Sequence, residues 1–333
     1  MEEATAQGYY LAGFISYEAG YAFEKKLLRE GAFGFPLLCF GVFNKPVELP
    51  LGGGRPDKIK DRIFNSCLNM SAGDYFSKIE RIREYIAAGE TYQITFCLKE
   101  KFNYAGNPYE LYEHLLGYQP VPYPAFISCG DYSILSLSPE MFIKKDGGTI
   151  RVKPMKGTLV RSSGVINNLF GAAYLRNDPK NRAENVMIAD LLRNDLGRVC
   201  DYKSVVTTRL FEVAKYRTVY QMTSSIRGDL RAGIPYYELF RALFPSGSVT
   251  GAPKIRAMQI IRELENEERR IYTGAIGFIT PQRDLFFNVP IRTILLRKGE
   301  GEMGVGGGIT YYSTPRGEFE ECLIKSRFIK SAL

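Results

Sequence analysis

The feature that most constrains the fold is the way strand-like runs arrive in adjacent pairs. Four short apolar runs, 124–129, 132–137, 140–145 and 149–154, have turn residues between them at Gly130-Asp131 and at Asp146-Gly147-Gly148. Turns that short join antiparallel neighbours, whereas a parallel pair needs a long crossover. The stretch therefore reads as an antiparallel meander. Further strand runs fall at 91–103, 273–280, 285–297 and 303–311, and GYYLAGFISYEAG at 8–20 fits a strand or two broken by glycines. Helical spacing predicts helices at 74–88, where Phe76, Ile79, Ile82 and Ile86 recur before Gly89, at 182–194, from Pro253 to Asn266, and at 318–332. Strands in hairpin groups, without βαβ alternation, predict an α+β fold with antiparallel sheets. The prolines and glycines of 46–60 read as a loop, so a segment 1–60 runs on into a main domain at 61–333 with no clean linker after it.

Composition narrows the partners. The 333 residues are 45% hydrophobic and 24% charged, the profile of a soluble globular protein. The net charge of +8 is spread along the chain without a long basic run, which favours a small anionic ligand over nucleic acid. Cysteines at 39, 67, 97, 129, 200 and 322 form no C-x-x-C pair, and with His114 as the single histidine a zinc site is disfavoured. Widely spaced cysteines predict reduced thiols and a cytoplasmic location. The start, MEEATAQGYY, lacks the basic and apolar regions of a signal peptide, and no apolar run approaches the length of a membrane span.

Several segments carry chemistry, each with an ordinary alternative. Lys156 sits in a Pro-Met-Lys-Gly-Thr turn after the β-like run 149–152, as a surface cation or as a nucleophile. Glu184 opens the helix at 182–194, where the helix dipole favours a carboxylate by about 0.3–1 kcal/mol. Glu318, Glu321 and Lys325 share a helix face, and a Glu–Lys pair four apart ordinarily contributes about 0.2–0.5 kcal/mol at a surface. Two carboxylates from distant helices would suit a hard divalent cation such as Mg²⁺ if they met. PSGSVTGAPK at 245–254 is a glycine-rich loop feeding a helix, able to bind an anion or simply to cap. It is not a nucleotide-binding phosphate loop, because its glycines are too close and proline precedes the lysine. GVGGGITYYS at 304–313 is a glycine run after a strand, open to close ligand approach or to plain bulges. His114 reads as a packing or surface residue.

Set side by side, SPEMF (138–142), KPMKGT (153–158), AENVMIADLLRNDLGRV (183–199), FPSGSVTGAPKIRAMQII (244–261), RIYTGAIGF (270–278), IRT (291–293) and GVGGGITYYS with EFEECLIKS (304–326) resemble the chorismate-utilising enzymes. The resemblance runs over roughly 75–330, in the family's order. It implies one large α+β domain with two antiparallel sheets packed face to face and helices around them. It also implies that Lys156 is a nucleophile and Glu140, 16 positions earlier, a general acid. Glu184 and Glu321 would hold Mg²⁺. Arg292, Tyr272, Lys325 and the backbone near Gly307 would grip the enolpyruvyl carboxylate, and Thr158, Thr250 and Gln221 complete the substrate contacts.

Within the resemblance, lysine at 156 marks the aminodeoxychorismate-forming branch, where anthranilate-forming relatives carry alanine. Water-adding relatives place a lysine where this chain has Gln93. GYYLAGFISYEAGYAFE is similar to the amino-terminal part of the same branch, whose usual chain is longer. Gln221 stands where many relatives have histidine; it can donate a hydrogen bond but not titrate near neutral pH. That leaves proton transfer to Glu140 and metal-bound water. The implied reaction is amination of chorismate to 4-amino-4-deoxychorismate, on the route to p-aminobenzoate and folate, with the pyruvyl group retained. Ammonia would come from a separate glutamine amidotransferase subunit, since one histidine leaves no Cys-His glutaminase pair in this chain. The alternatives are an anthranilate-forming component and a non-catalytic partner-binding relative.

Overall fold

The computed structural model describes residues 1–28, 31–48, 62–160, 165–215 and 219–331. Most of the 46–60 loop lies outside the described residues. In chain order the strands are β1 (Tyr10–Ile15), β2 (Leu38–Phe43), β3 (Ile63–Leu68), β4 (Gln93–Tyr104), β5 (Tyr123–Cys129), β6 (Tyr132–Ser138), β7 (Met141–Asp146), β8 (Thr149–Lys153), β9 (Met155–Val160), β10 (Val206–Lys215), β11 (Val219–Asp229), β12 (Gly251–Ala252), β13 (Ala275–Ile279), β14 (Leu285–Asn288), β15 (Thr293–Arg297) and β16 (Glu300–Ile309). The helices are α1 (Glu2–Ala6), α2 (Ala19–Ala22), α3 (Ala72–Ala87), α4 (Pro108–Tyr118), α5 (Val165–Asn177), α6 (Pro179–Gly197), α7 (Tyr236–Leu243), α8 (Lys254–Leu264) and α9 (Pro315–Ser331).

Among the described residues the strands form two antiparallel sheets. The larger runs β10-β11-β8-β7-β14-β13-β1-β2, with β9 also on β11; the smaller runs β12-β4-β16-β15-β6-β5, with β3 on β4. This is the expected α+β architecture. Strand β4 shows how the sequence builds it: Ile94, Phe96, Leu98 and Phe102 alternate into a core shared with Tyr75, Ile79 and Ile82 of α3 and with Met258 and Ile261 of α8. A second core joins Ile143 and Val152 of the larger sheet to Ile188 and Leu192 of α6 and to Leu239 and Phe240 of α7. His114 lies on α4.

Two expected strand runs are broken at the boundary between the sheets. The meander divides after β6: β5 and β6 belong to the smaller sheet, β7 and β8 to the larger. Run 285–297 divides likewise, β14 lying in the larger sheet and β15 in the smaller. Each break contains a proline, Pro139 or Pro290, which has no N–H for a ladder. The crossovers bond to each other, Val289 N donating to Glu140 O (3.0 Å) and Leu137 N to Arg292 O (3.1 Å). Glu140 and Arg292 thereby both sit on the crossovers where the sheets part. Arg292 holds a left-handed φ of 51°, uncommon outside glycine and frequent at functional positions.

Other boundaries also moved. Helix α6 begins at Pro179, with the Asp178 side chain accepting from Asn181 N (2.8 Å). Glu184 therefore stands in the second turn, and its expected place at the helix start is corrected. Pro253 is the cap of α8 rather than its first turn. The glycines of 304–308 lie inside β16, not after it.

Candidate active site

Lys156 is in a strand, not the expected turn. Strands β8 and β9 both pair with β11, in registers Ile226↔Val152 and Gln221↔Thr158, so Pro154 marks only an irregularity in a continuous ladder. The backbone about the lysine is held from two sides. Gln221 Nε2 donates to Gly157 O (3.0 Å), and Asn185 Nδ2 of α6 donates to Lys156 O (3.5 Å). Ser224 Oγ in turn donates to Asn185 Oδ1. Gln221 thus braces the strand that carries the lysine. Thr158 pairs with Gln221 through its backbone, while its side chain lies outside the described residues.

The Lys156 side chain crosses to the other sheet. A Cβ on Gly308 of β16 would lie 3.4 Å from its Nζ. Among the described residues the amine makes no ion pair, although Glu184, Glu140, Glu321 and Lys325 all act on it through space. Burial, reinforced by Lys325, holds the amine below the usual lysine range against the opposing pull of Glu184, Glu140 and Glu321. The direction of that shift makes the amine easier to deprotonate than a free lysine.

Glu140, at the crossover from β6 to β7, is 3% exposed. Its Oε1 accepts from Ser248 Oγ at 2.6 Å. Burial raises the carboxyl from its ordinary value of 4.5 to about 7, opposed by the Ser248 hydrogen bond, Lys156 and the Met155 N–H. Near neutral pH it carries a proton it can give away.

The loop bearing Ser248 is clamped by two buried cations. Lys254 Nζ pairs with Asp195 Oδ2 of α6 (2.6 Å) and donates to Leu243 O (3.1 Å). Arg269 donates to Val249 O (2.8 Å) and Thr95 O (2.6 Å), and pairs with Glu265 (2.6 Å). Thr250 is buried in this loop, its hydroxyl donating to Ser246 O (3.1 Å) and its carbonyl accepting from Thr95 N (2.7 Å).

The glycine strand lies between these groups and α9. The β15–β16 ladder reaches only Ile294↔Met303, so beyond it β16 pairs with β4 alone among the described residues. Its other edge is open beside Arg292. Lys325 of α9 reaches that strand, donating to Gly306 O (2.6 Å) while pairing with Glu321 (2.7 Å). A Cβ on Gly307 would stand 2.9 Å from Glu318 Oε2 and 3.8 Å from Glu321 Oε1. Tyr272 is nearby but buried: its ring fills the space a Cβ on Gly304 would need, and its hydroxyl bonds Cys97.

Gln93 is the least satisfied group of the site. It is fully buried, and among the described residues neither its Nε2 nor its Oε1 has a hydrogen-bond partner. A Cβ on Gly308 would overlap its Nε2. Buried polar groups are nearly always paired, so an orphaned carboxamide near Lys156 makes this a candidate position for a ligand contact.

The acidic side chains near Lys156 form a donor set for a metal. Burial raises Glu184, and Glu321 adds to that, while Lys156 and Lys180 oppose it. Burial also pushes Glu321 up, but Lys325, Lys180 and Lys156 outweigh it and hold the carboxyl low. Glu318, not among the expected ligands, is raised by burial and by Glu321 while accepting from Ser313 Oγ (2.6 Å). Among the described residues no three acidic, histidine or cysteine side chains form a ready-made cage. Two facing carboxylates completed by water and substrate are how Mg²⁺, rather than a fully caged ion, is ordinarily held. The residues fit that ion.

Residues 1–331 match the family model described as chorismate binding enzyme. This chain belongs to that family. It is 37% identical over 287 residues to aminodeoxychorismate synthase component 1 of Bacillus subtilis, covering 86% of this chain and 61% of that protein. It is 38% identical over 266 residues to anthranilate synthase component 1 of Streptomyces coelicolor, covering 80% of this chain and 52% of that one. The crystal structure of anthranilate synthase component I from Streptococcus pneumoniae superposes with a TM-score of 0.84 at 27% identity, covering 96% of this chain and 80% of the other. The chain thus spans about half to three fifths of these curated relatives' length.

Proposed function

We propose that this chain aminates chorismate to 4-amino-4-deoxychorismate. One observation carries the reading: the Lys156 amine, unpaired among the described residues and held below its usual pKa, lies within electrostatic reach of a buried carboxyl raised to about 7. Covalent catalysis by lysine needs a neutral amine, and departure of a hydroxyl needs a proton donor.

In the proposed sequence Nζ of Lys156 forms a bond to ring carbon 2. The ring double bonds shift, and the 4-hydroxyl leaves as water with the proton of Glu140. Ammonia then bonds to carbon 4, the double bonds shift back, and the carbon 2–Nζ bond breaks. The proton lost by the new ammonium returns to Glu140, and the lysine leaves as the neutral amine, keeping both protons it carried into the attack. Arg292, just before β15, would offer a planar fork suited to the enolpyruvyl carboxylate, with Lys325 on Gly306 of β16. Mg²⁺ held by Glu184 and Glu321 would offset the charge of the ring carboxylate and draw electron density from the ring. The pyruvyl group stays on the product. Ammonia is taken to come from a glutamine amidotransferase partner, as the component 1 names of relatives suggest, and the route leads to p-aminobenzoate and folate. A cytoplasmic location goes with this reading; the cysteines are free, and no described helix is long and apolar enough to cross a membrane.

A second reading, anthranilate formation, is favoured by the 38% identity to an anthranilate synthase component. Incubation with chorismate, Mg²⁺ and ammonium, with products identified by mass, separates the two. The proposal predicts 4-amino-4-deoxychorismate, its loss in Lys156→Ala, and its loss when Mg²⁺ is chelated. Anthranilate as the main wild-type product would overturn it in favour of the second reading.

A further inference from the structure

The loop that meets the general acid carries two serines whose hydroxyls form a chain. Ser246, Ser248 and Glu140 are each 3% exposed. Ser248 Oγ lies 2.6 Å from Glu140 Oε1 and 2.9 Å from Ser246 Oγ, and Ser248 N donates to Ser246 Oγ (3.4 Å). The loop has little freedom to move these groups, since Arg269 grips Val249 O and Lys254 grips Leu243 O.

We infer that Ser248 is a positioning residue for the acid step, holding Glu140 by Oε1 so that Oε2 remains to deliver the proton and the departing carboxylate keeps a donor. The inference rests on the proposed amination only in taking Glu140 as the proton donor. A hydroxyl is suited to the task because it both donates and accepts. While Glu140 is ionised, Ser248 donates to Oε1. When Glu140 regains its proton on Oε2, Ser248 still donates to Oε1, with its own oxygen within hydrogen-bond reach of Ser246 Oγ. Oε1 thus keeps a donor in both states. The charged group facing Glu140 is Lys156, which in turn faces Glu184, Glu321 and Lys325; the Met155 N–H also reaches the carboxyl. The Ser248 bond opposes the effect of burial on that carboxyl.

The test needs no turnover in its first arm. Glu140 is titrated in substrate-free protein by isotope-edited infrared spectroscopy, with Glu140→Gln to assign the band. Ser248→Ala should raise its midpoint, and Ser248→Thr should restore it. In the second arm the alkaline limb of the kcat/KM profile should move upward in Ser248→Ala. There kcat should fall about 10- to 100-fold, with KM for chorismate within about twofold. Should Ser248→Ala fail to fold, Ser248→Cys keeps the volume with a weaker donor, and its midpoint should shift the same way by less. An unshifted midpoint in a folded Ser248→Ala or Ser248→Cys protein overturns the inference. A shifted midpoint in a protein that makes no aminodeoxychorismate would leave Ser248 holding Glu140 and refute the proposed reaction instead.

Discussion

Gln93→Met should make the resting protein more stable and the enzyme worse. The carboxamide is fully buried, and among the described residues neither polar atom has a partner. An unsatisfied buried group costs about 1–3 kcal/mol relative to a satisfied one. Methionine is unbranched, of similar volume, and brings no polar atom into that space. The substitution should therefore raise unfolding free energy by about 1–3 kcal/mol, a Tm increase of roughly 1–4 °C for a chain of this size. The same amide lies beside Lys156 across Gly308, where a bound ligand would satisfy it. Its loss should lower kcat/KM for chorismate amination about tenfold or more. Urea denaturation gives the stability change, valid if the m-value is unchanged, and steady-state kinetics gives the activity. Destabilisation by 1 kcal/mol or more at constant m would refute the reasoning, because the amide would then be satisfied in the resting protein, as by a buried water.

Two further predictions concern what holds the site in shape. Lys254→Met leaves the Asp195 carboxylate, whose side chain is 5% exposed, without its partner. It should destabilise by about 3–5 kcal/mol in chemical denaturation, with part of the loss recovered by adding Asp195→Asn. Glu18 accepts from the backbone N–H groups of Arg269 (2.7 Å) and Arg270 (3.0 Å). Burial raises it from 4.5 to about 7, outweighing those bonds. Between those two pH values the folded state keeps a proton the unfolded chain has released, so stability falls as pH rises through the window. The fall from this group is about 3 kcal/mol at most. Glu140 adds a decline of the same sign. Denaturation from pH 4 to pH 8 should show the decline, and Glu18→Gln should flatten part of it; an unchanged slope in that variant contradicts the assignment.

Much of this site was legible in the sequence, and the misses have physical causes. Hairpin spacing gave the antiparallel sheets, but a local pattern cannot say which sheet a strand joins. Val289 at the end of one apolar run and Thr293 at the start of the next lie in different sheets' vicinity because Pro290 and the left-handed Arg292 intervene. The same holds at Pro139, where the break is what puts Glu140 in the cleft. Lys156 looked like a turn residue because proline and glycine flank it; long-range pairing with β11 overrode that local preference. Helix α5 escaped notice because Val165–Asn177 has little apolar periodicity. Glu184, Glu321 and Lys325 were found through resemblance and helix spacing. Glu318 had the same face but no signal setting it apart from a surface charge. Ser248 lay in plain view within PSGSVTGAPK, yet its contact spans 108 positions to Glu140, and only the fold shows it.

The most direct measurement is the mass of the protein after rapid mixing with chorismate and Mg²⁺ in the absence of ammonia. The account predicts a covalent adduct of chorismate less one water, located by peptide mapping on Lys156, which disappears with release of 4-amino-4-deoxychorismate when ammonium is added. Rapid product formation with no adduct at any time, together with undiminished amination by Lys156→Ala, would contradict it.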